Sequence, residues 1–143
     1  MQVLQMLKEK PGGVVTIAPT ASVAEAAAML SARRIGAVIV SRDGKHADGI
    51  LSERDIVREL GKRGGGCLTD TVAVLMTANP RSCVLSDSAD HVMETMTNGR
   101  FRHMPVIDGG EMVGLISIGD VVKARLSELA MEKEALTGMI MGN

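Results

Sequence analysis

The period of the apolar positions changes several times along the chain, and each change marks an element. Residues from Val3 to Lys10 carry the spacing of a short helix, which Pro11-Gly12-Gly13 stops. The β-branched run Val14-Val15-Thr16-Ile17 reads as a strand ended by Pro19. Ser22 opens a helix with Glu25 three residues on as a capping box, and Val23, Ala26, Ala27 and Leu30 form its apolar face. Ile35 to Val40 is a continuous apolar strand, Asp43-Gly44 is a hairpin signal, and Ala47 to Leu51 is the return strand. Ser52 starts the next helix, which reaches about Leu60. Gly61 to Asp70, with Gly64-Gly65-Gly66 inside it, reads as the linker.

The plan then restarts. Ser82 to Leu85 match the first strand, and Ala89, Val92, Met93 and Met96 repeat the first helical face 66 residues on. Phe101 to Ile107 match Ile35 to Ser41, Asp108-Gly109-Gly110 is the turn, Glu111 to Ile116 is the return strand, and Ser117 opens the last helix. The sharpest repeat is Gly49-Ile50-Leu51-Ser52-Glu53-Arg54-Asp55-Ile56-Val57 against Gly114-Leu115-Ile116-Ser117-Ile118-Gly119-Asp120-Val121-Val122, 65 residues apart. The offset falls by one at the hairpin, so the second copy lacks one turn residue, where loops tolerate such a change.

Each unit is therefore strand–helix–strand–strand–helix. One such unit buries little alone, and two packed together share a core. The expected organisation is an N-terminal helix and turn (1–13), a first repeat (14–61), a linker (62–79), a second repeat (80–127) and a helical extension (128–143). Along the last helix Val122, Leu126, Leu129, Lys133, Leu136 and Ile140 alternate spacings of four and three, interrupted in character by Lys133. This narrow seam packs either on its own domain or on a partner helix.

Composition narrows the function. The 45% hydrophobic content supports a globular core, and a net charge of −1 gives no general field for nucleic acid or anionic membrane. One Phe and no Trp or Tyr leave no aromatic platform for stacked bases. No apolar run approaches the roughly 18–20 residues of a membrane span, and no basic segment precedes an apolar one at the N-terminus. A cytoplasmic protein without membrane insertion is expected. Cys67 and Cys83 lack a metal-ligand spacing and read as reduced thiols. Three scattered histidines make no metal site. Cys83, His91 and His103 lack the elbow, oxyanion donors and orienting partner of a catalytic site. Arg33-Arg34 and Lys62-Arg63 read as solvated helix ends.

The repeated Ser-x-x-Asp carries the chemistry, and two readings fit it. In one, serine and aspartate only cap a helix. In the other, the helix N-terminus offers N–H donors to a phosphate, and the carboxylate accepts hydrogen bonds from two ribose hydroxyls.

The whole pattern resembles a tandem pair of CBS domains, a Bateman module. The resemblance rests on Gly49, Ser52 and Asp55, on Gly114, Ser117 and Asp120, and on Arg102-His103-Met104-Pro105-Val106, and it covers about Val14 to Leu126. Its serine–aspartate segments are most like those of small stand-alone bacterial pairs. The resemblance implies a mixed α/β (α+β) fold, with two β-α-β-β-α repeats about a pseudo-twofold axis and a long C-terminal helix besides. It implies two clefts that take adenosine compounds: AMP, ADP, ATP, NAD(H) or S-adenosylmethionine. One cleft would join Ser117, Gly119 and Asp120 to Thr16, Ala21, Ile35 and Gly36. The other would join Ser52, Arg54 and Asp55 to Ser82, Phe101, Arg102 and His103, with Met104 and Pro105 on the same strand. The aspartates would hold ribose, Thr16 and Ser82 would meet the base edge, and Arg102 and His103 would face phosphates. Gly36 and Ala37 stand where the second unit has Arg102 and His103, and Ala21 stands where it has Asp87, so unequal occupancy follows. The implied function is a non-enzymatic, energy-sensing regulatory homodimer that signals to an unknown protein effector. A constitutive interaction module with ligand-free clefts and a redox-responsive regulator acting through Cys67 and Cys83 are the alternatives.

Overall fold

Each serine–aspartate stretch forms a strand that runs straight into a helix. In a computed structural model, residues 1–10 and 12–141 are described. The elements are α1 (Val3–Glu9), β1 (Thr16–Ile17), α2 (Val23–Arg33), β2 (Ala37–Val40), β3 (Gly49–Ser52), α3 (Glu53–Arg63), α4 (Val72–Leu75), β4 (Thr77–Ala78), α5 (Ala89–Gly99), β5 (His103–Asp108), β6 (Glu111–Ser117) and α6 (Ile118–Ile140). This is a mixed α/β fold with a long C-terminal helix. One sheet runs β1-β2-β3-β4 and the other pairs β5 with β6.

The duplication is visible in the register. Ala37 pairs with Ser52 and Val40 with Gly49, and their repeat equivalents do the same, His103 with Ser117 and Val106 with Gly114. The Glu53 amide donates to the Gly36 carbonyl at 2.9 Å, and the Ile118 amide to the Arg102 carbonyl at 2.8 Å. Each strand-to-helix junction is thus tied to the residue just before the neighbouring strand. The motif glycines are places of close approach: a Cβ on Gly49 would collide with the Met76 thioether, and one on Gly114 would sit 2.5 Å from Leu7 Cδ2. Larger residues there would lift α4 or α1 off the sheet.

Two apolar clusters form the core. The first gathers Ile17, Val23, Ala26, Leu30, Val38, Val40, Leu51, Ile56 and Val72. The second gathers Val3, Met6, Cys83, Ala89, Val92, Met96, Met104, Val106, Ile116, Val121 and Ala124. Of the helical faces read from spacing, Val23, Ala26, Leu30, Ala89, Val92 and Met96 are buried, and Ala27 and Met93 partly so. The chain's start belongs to the second cluster: Val3 and Met6 are buried there, and Val3 and Leu4 donate their amides to the Asp87 and Leu85 carbonyls.

Several expectations are corrected. Gly61 to Asp70, read as the linker, carries structure of its own: α3 continues to Arg63, and Gly64–Thr69 form a 3-10 turn that buries Cys67 completely. Leu68 packs on the first cluster, which is why three glycines stay ordered there. Asp43-Gly44 is not a tight hairpin. Residues 41–48 form a longer loop in which the Asp43 carboxylate accepts the Lys45 and His46 amides at 2.8 and 2.9 Å. The second hairpin does close tightly, with Gly109 and Gly110 at φ +59° and +84°. It absorbs its different length as a bulge beside Ile107. Ser82 to Leu85 do not make a full strand; Cys83 alone bridges Val106 in parallel, as Ile17 pairs with Val40. Ser22 accepts the Glu25 amide, but among the described residues the complete reciprocal box forms only at Ser52 and Ser117. Pro11, invoked as a helix stop, lies outside the described residues, as do Gly142 and Asn143 at the end of the extension.

The seam of α6 is not folded against its own domain. Val121 and Ala124 are buried, whereas Leu126 is 63% and Ile140 85% exposed.

Candidate functional site

The two capping boxes open onto two clefts, each of about 530 Å³. The Ser52 hydroxyl accepts the Asp55 amide, and the Asp55 carboxylate accepts the Ser52 amide at 2.9 Å. Ser117 and Asp120 repeat this at 3.1 and 2.9 Å. Each box fixes an aspartate at a helix N-terminus with its carboxylate facing a cleft.

The Asp120 cleft is lined by Ser117 and Asp120 from the second unit and by Ile35 and Gly36 from the first, with Gly12 to Val15 and Arg33-Arg34. Leu7 and Lys10 enter it from α1 and its C-cap. Thr16, Ala21 and Gly119 do not line it. Thr16 is held in the sheet opposite Ile39, Ala21 gives its carbonyl to the Val72 amide, and Gly119 lies on the outer side of the first turn of α6. The Lys10 ammonium donates to the Leu115 carbonyl and to Asp120 Oδ2, both at 2.8 Å. Burial pushes the Asp120 carboxyl up, but the Lys10 and Ser117 hydrogen bonds and the Lys10 charge outweigh it and hold the group below its ordinary range.

The Asp55 cleft brings together Ser52, Arg54, Asp55, Phe101, Arg102 and His103, with Thr77, Asn79, Pro80 and Arg81. Arg58 and Arg100 line it too, so Arg54, Arg58, Arg81, Arg100 and Arg102 face it against Glu53 and Asp55. Ser82 is not part of the lining; its neighbours Pro80 and Arg81 take that place. Met104 and Pro105 are buried in β5, Met104 inside the second core cluster, and neither reaches a cleft. Asp87 is also away from both clefts, its carboxylate capping the Val84 amide at 2.9 Å.

His103 differs from the expectation of a phosphate-facing cation. Its ring lies against Gly36, where a Cβ would meet Nε2 at 3.2 Å, and it lines both clefts. Burial lowers its pKa from 6.5, and the nearby Lys10 charge lowers it further, which favours the neutral ring. A Cβ at Gly36 would crowd this ring, which would have to give by a few tenths of an ångström.

The sequence reading missed Lys10, Arg34 and Arg100. Arg34 and Arg100 are repeat equivalents, each in the left-handed region at φ +54° and +58°, each at the C-cap of the helix before a cleft strand. That conformation is uncommon for a side chain other than Gly, Asn or Asp and recurs at ligand sites. Their shared position at the 66-residue offset was the available signal.

Neither thiol is placed to react. Cys67 and Cys83 are buried, in separate parts of the core, and burial pushes the Cys83 thiol up to about 12. Among the described residues no three His, Cys, Asp or Glu side chains gather to hold a metal ion. No described helix is long and apolar enough to cross a membrane.

Comparison with known proteins agrees with this architecture. The CBS domain family model matches residues 11–62 and again 72–127. A CBS-domain containing protein from Agrobacterium tumefaciens superimposes with a TM-score of 0.84 at 45% identity, covering 87% of this chain and 99% of that one. A CBS domain protein from Pyrobaculum aerophilum complexed with AMP gives 0.78 at 28% identity, covering 92% and 99%. The mitochondrial CBS domain-containing protein CBSX3 of Arabidopsis thaliana is 31% identical over 85% of this chain, which spans 61% of that protein's length. With both repeats matched in order, the chain belongs to the CBS domain family as a tandem pair.

Proposed function

We propose that the chain is a non-enzymatic regulatory module that binds an adenosine compound in its clefts and acts as a homodimer. The observation that carries this reading is the duplicated aspartate, fixed at a helix N-terminus and facing a cleft lined by cations. A carboxylate suits a ribose diol, and arginines with helix N–H groups suit phosphate. The neighbour complexed with AMP supports the same ligand class. The Asp55 cleft, with Arg54, Arg58, Arg81, Arg100 and Arg102, is the better phosphate site, so the two clefts fill unequally. The dimer would cover the exposed seam of α6 and the apolar groove of Ala27, Leu30, Ile56 and Val57 between α2 and α3. Signalling to a protein effector requires that ligand favour one arrangement of units or protomers over another.

One observation favours a second reading, a constitutive interaction module. Both aspartates are already complete as helix caps without any ligand. The test is the ultraviolet spectrum of freshly purified protein, followed by heat release and chromatography of the supernatant. Without Trp or Tyr the chain is nearly transparent at 280 nm, so a bound purine dominates the spectrum near 260 nm. A released purine supports the nucleotide reading. A blank spectrum, with no heat on titrating AMP, ATP, NADH and S-adenosylmethionine, leaves the interaction module.

A further inference from the structure

Lys10 reaches the Asp120 cleft from outside both repeats: the family match begins at residue 11. Its base is fixed. Val3 and Met6 bury α1 in the second core cluster, and the Lys10 amide closes the helix on the Leu7 carbonyl at 3.2 Å. From there the ammonium bonds the Leu115 carbonyl and Asp120 Oδ2, the oxygen that also takes the Ser117 amide. Among the described residues the Asp55 cleft has no such lysine, and Asp55 meets only its own box and, at 3.4 Å, Arg58.

Lys10 and the Ser117 amide both bond Oδ2, so a ribose diol that takes both oxygens of the Asp120 carboxylate competes with Lys10 for Oδ2. The displaced ammonium is then left in a cleft shared with Arg33 and Arg34, and it needs a new anion. A bare nucleoside supplies none, whereas a nucleotide supplies its phosphate. The four-carbon stem of lysine allows the swing from carboxylate to phosphate without moving α1. Resting on the nucleotide reading above, we propose that Lys10 makes the Asp120 cleft select phosphorylated adenosine compounds over the nucleoside, releasing Asp120 only when a phosphate replaces it.

The test is calorimetric titration of adenosine and of AMP into Asp55→Asn protein, which isolates this cleft, with and without Lys10→Met or Lys10→Arg. Loss of a half-exposed ion pair and of a charge-assisted phosphate bond predicts that Lys10→Met tightens adenosine roughly threefold and weakens AMP roughly threefold. The preference for AMP then falls roughly tenfold, and Lys10→Arg keeps it. Equal shifts for both ligands, or no shift, overturn the inference. So does AMP failing to bind this cleft both with Lys10 and with Met in its place. AMP titrated into Asp120→Asn, which leaves the other cleft intact, separates the failures: binding there preserves the nucleotide reading while the role of Lys10 falls.

Discussion

Asp55 and Asp120 each cap a helix, on the proposed reading each would also hold ribose, and substitution separates the two roles. Each carboxylate accepts its serine's amide, and each side chain faces a cleft. Asn keeps the shape but loses the charge that the helix N-terminus favours, so Asp55→Asn costs only about 1 kcal/mol of stability. Loss of charge-assisted bonds to ribose should weaken ligand at the altered cleft roughly a hundredfold. Thermal melts and calorimetry on the two single variants measure both effects. A pure cap would change the melt alone. These aspartates, with Ser52 and Ser117, were legible because the pattern repeats at one offset. Arg34, Arg100 and Lys10 were not. The two arginines look like ordinary helix ends until their backbone turns left-handed, and Lys10 meets Asp120 across 110 positions of chain. Thr16, Ala21 and Ser82 were assigned by resemblance, yet the backbone seats them in the sheet and turns beside the clefts.

At the scale of elements, periodicity identified every long helix and both motif strands, because their buried faces are contiguous in sequence. It missed what depends on distant partners: β4 adds to β3 of the first sheet, and α1 packs on the second cluster. The ordered 3-10 turn was hidden for the same reason, since glycines signal freedom until Cys67 and Leu68 are seen to anchor them. The most exposed element is α6. No residue beyond Ala124 on this helix is buried, while Leu126, Leu129, Leu136 and Ile140 lie on one seam at heptad spacing. A seam of this kind is stable in water only against a second helix. Sedimentation velocity should give a dimer for the intact chain at high micromolar concentration. Leu129→Glu with Leu136→Glu should shift it toward monomer and leave the domain's own melt within a few degrees, since neither residue touches the core clusters. A monomeric intact chain would remove the dimer from the proposed function. Gly114→Val tests the other helix: the added methyls would push Leu7 away, loosen α1 and raise its amide exchange without unfolding the first unit.

For the whole molecule, the boundary between the clefts makes stability depend on pH. Burial and the Lys10 charge hold His103 below its ordinary pKa of 6.5, with Arg102 adding to the effect, and Glu53 and Asp120 only partly oppose it. At His103 the unfolded chain therefore holds the proton more readily than the folded one as pH falls below 6.5. The contribution of His103 is intact above 6.5 and is lost as pH falls toward its lower folded value. His46 has the opposite sign. Its hydrogen bond and charge pairing with Asp43 raise its pKa, so its contribution is present below 6.5 and lost as pH rises through the folded value. Asp120 enters only in stronger acid, below its ordinary 3.8. Melting temperatures at pH 7.5 and 5.5 should thus fall less on acidification for His103→Gln than for the parent, and more for His46→Gln. If His103→Gln leaves the acid loss unchanged, the ring is not held neutral at the boundary. His103 lines both clefts, so on the proposed reading a nucleotide phosphate bound beside it would favour its protonation. The same pair of melts with saturating AMP should then show a smaller acid loss in the parent and no such rescue in His103→Gln.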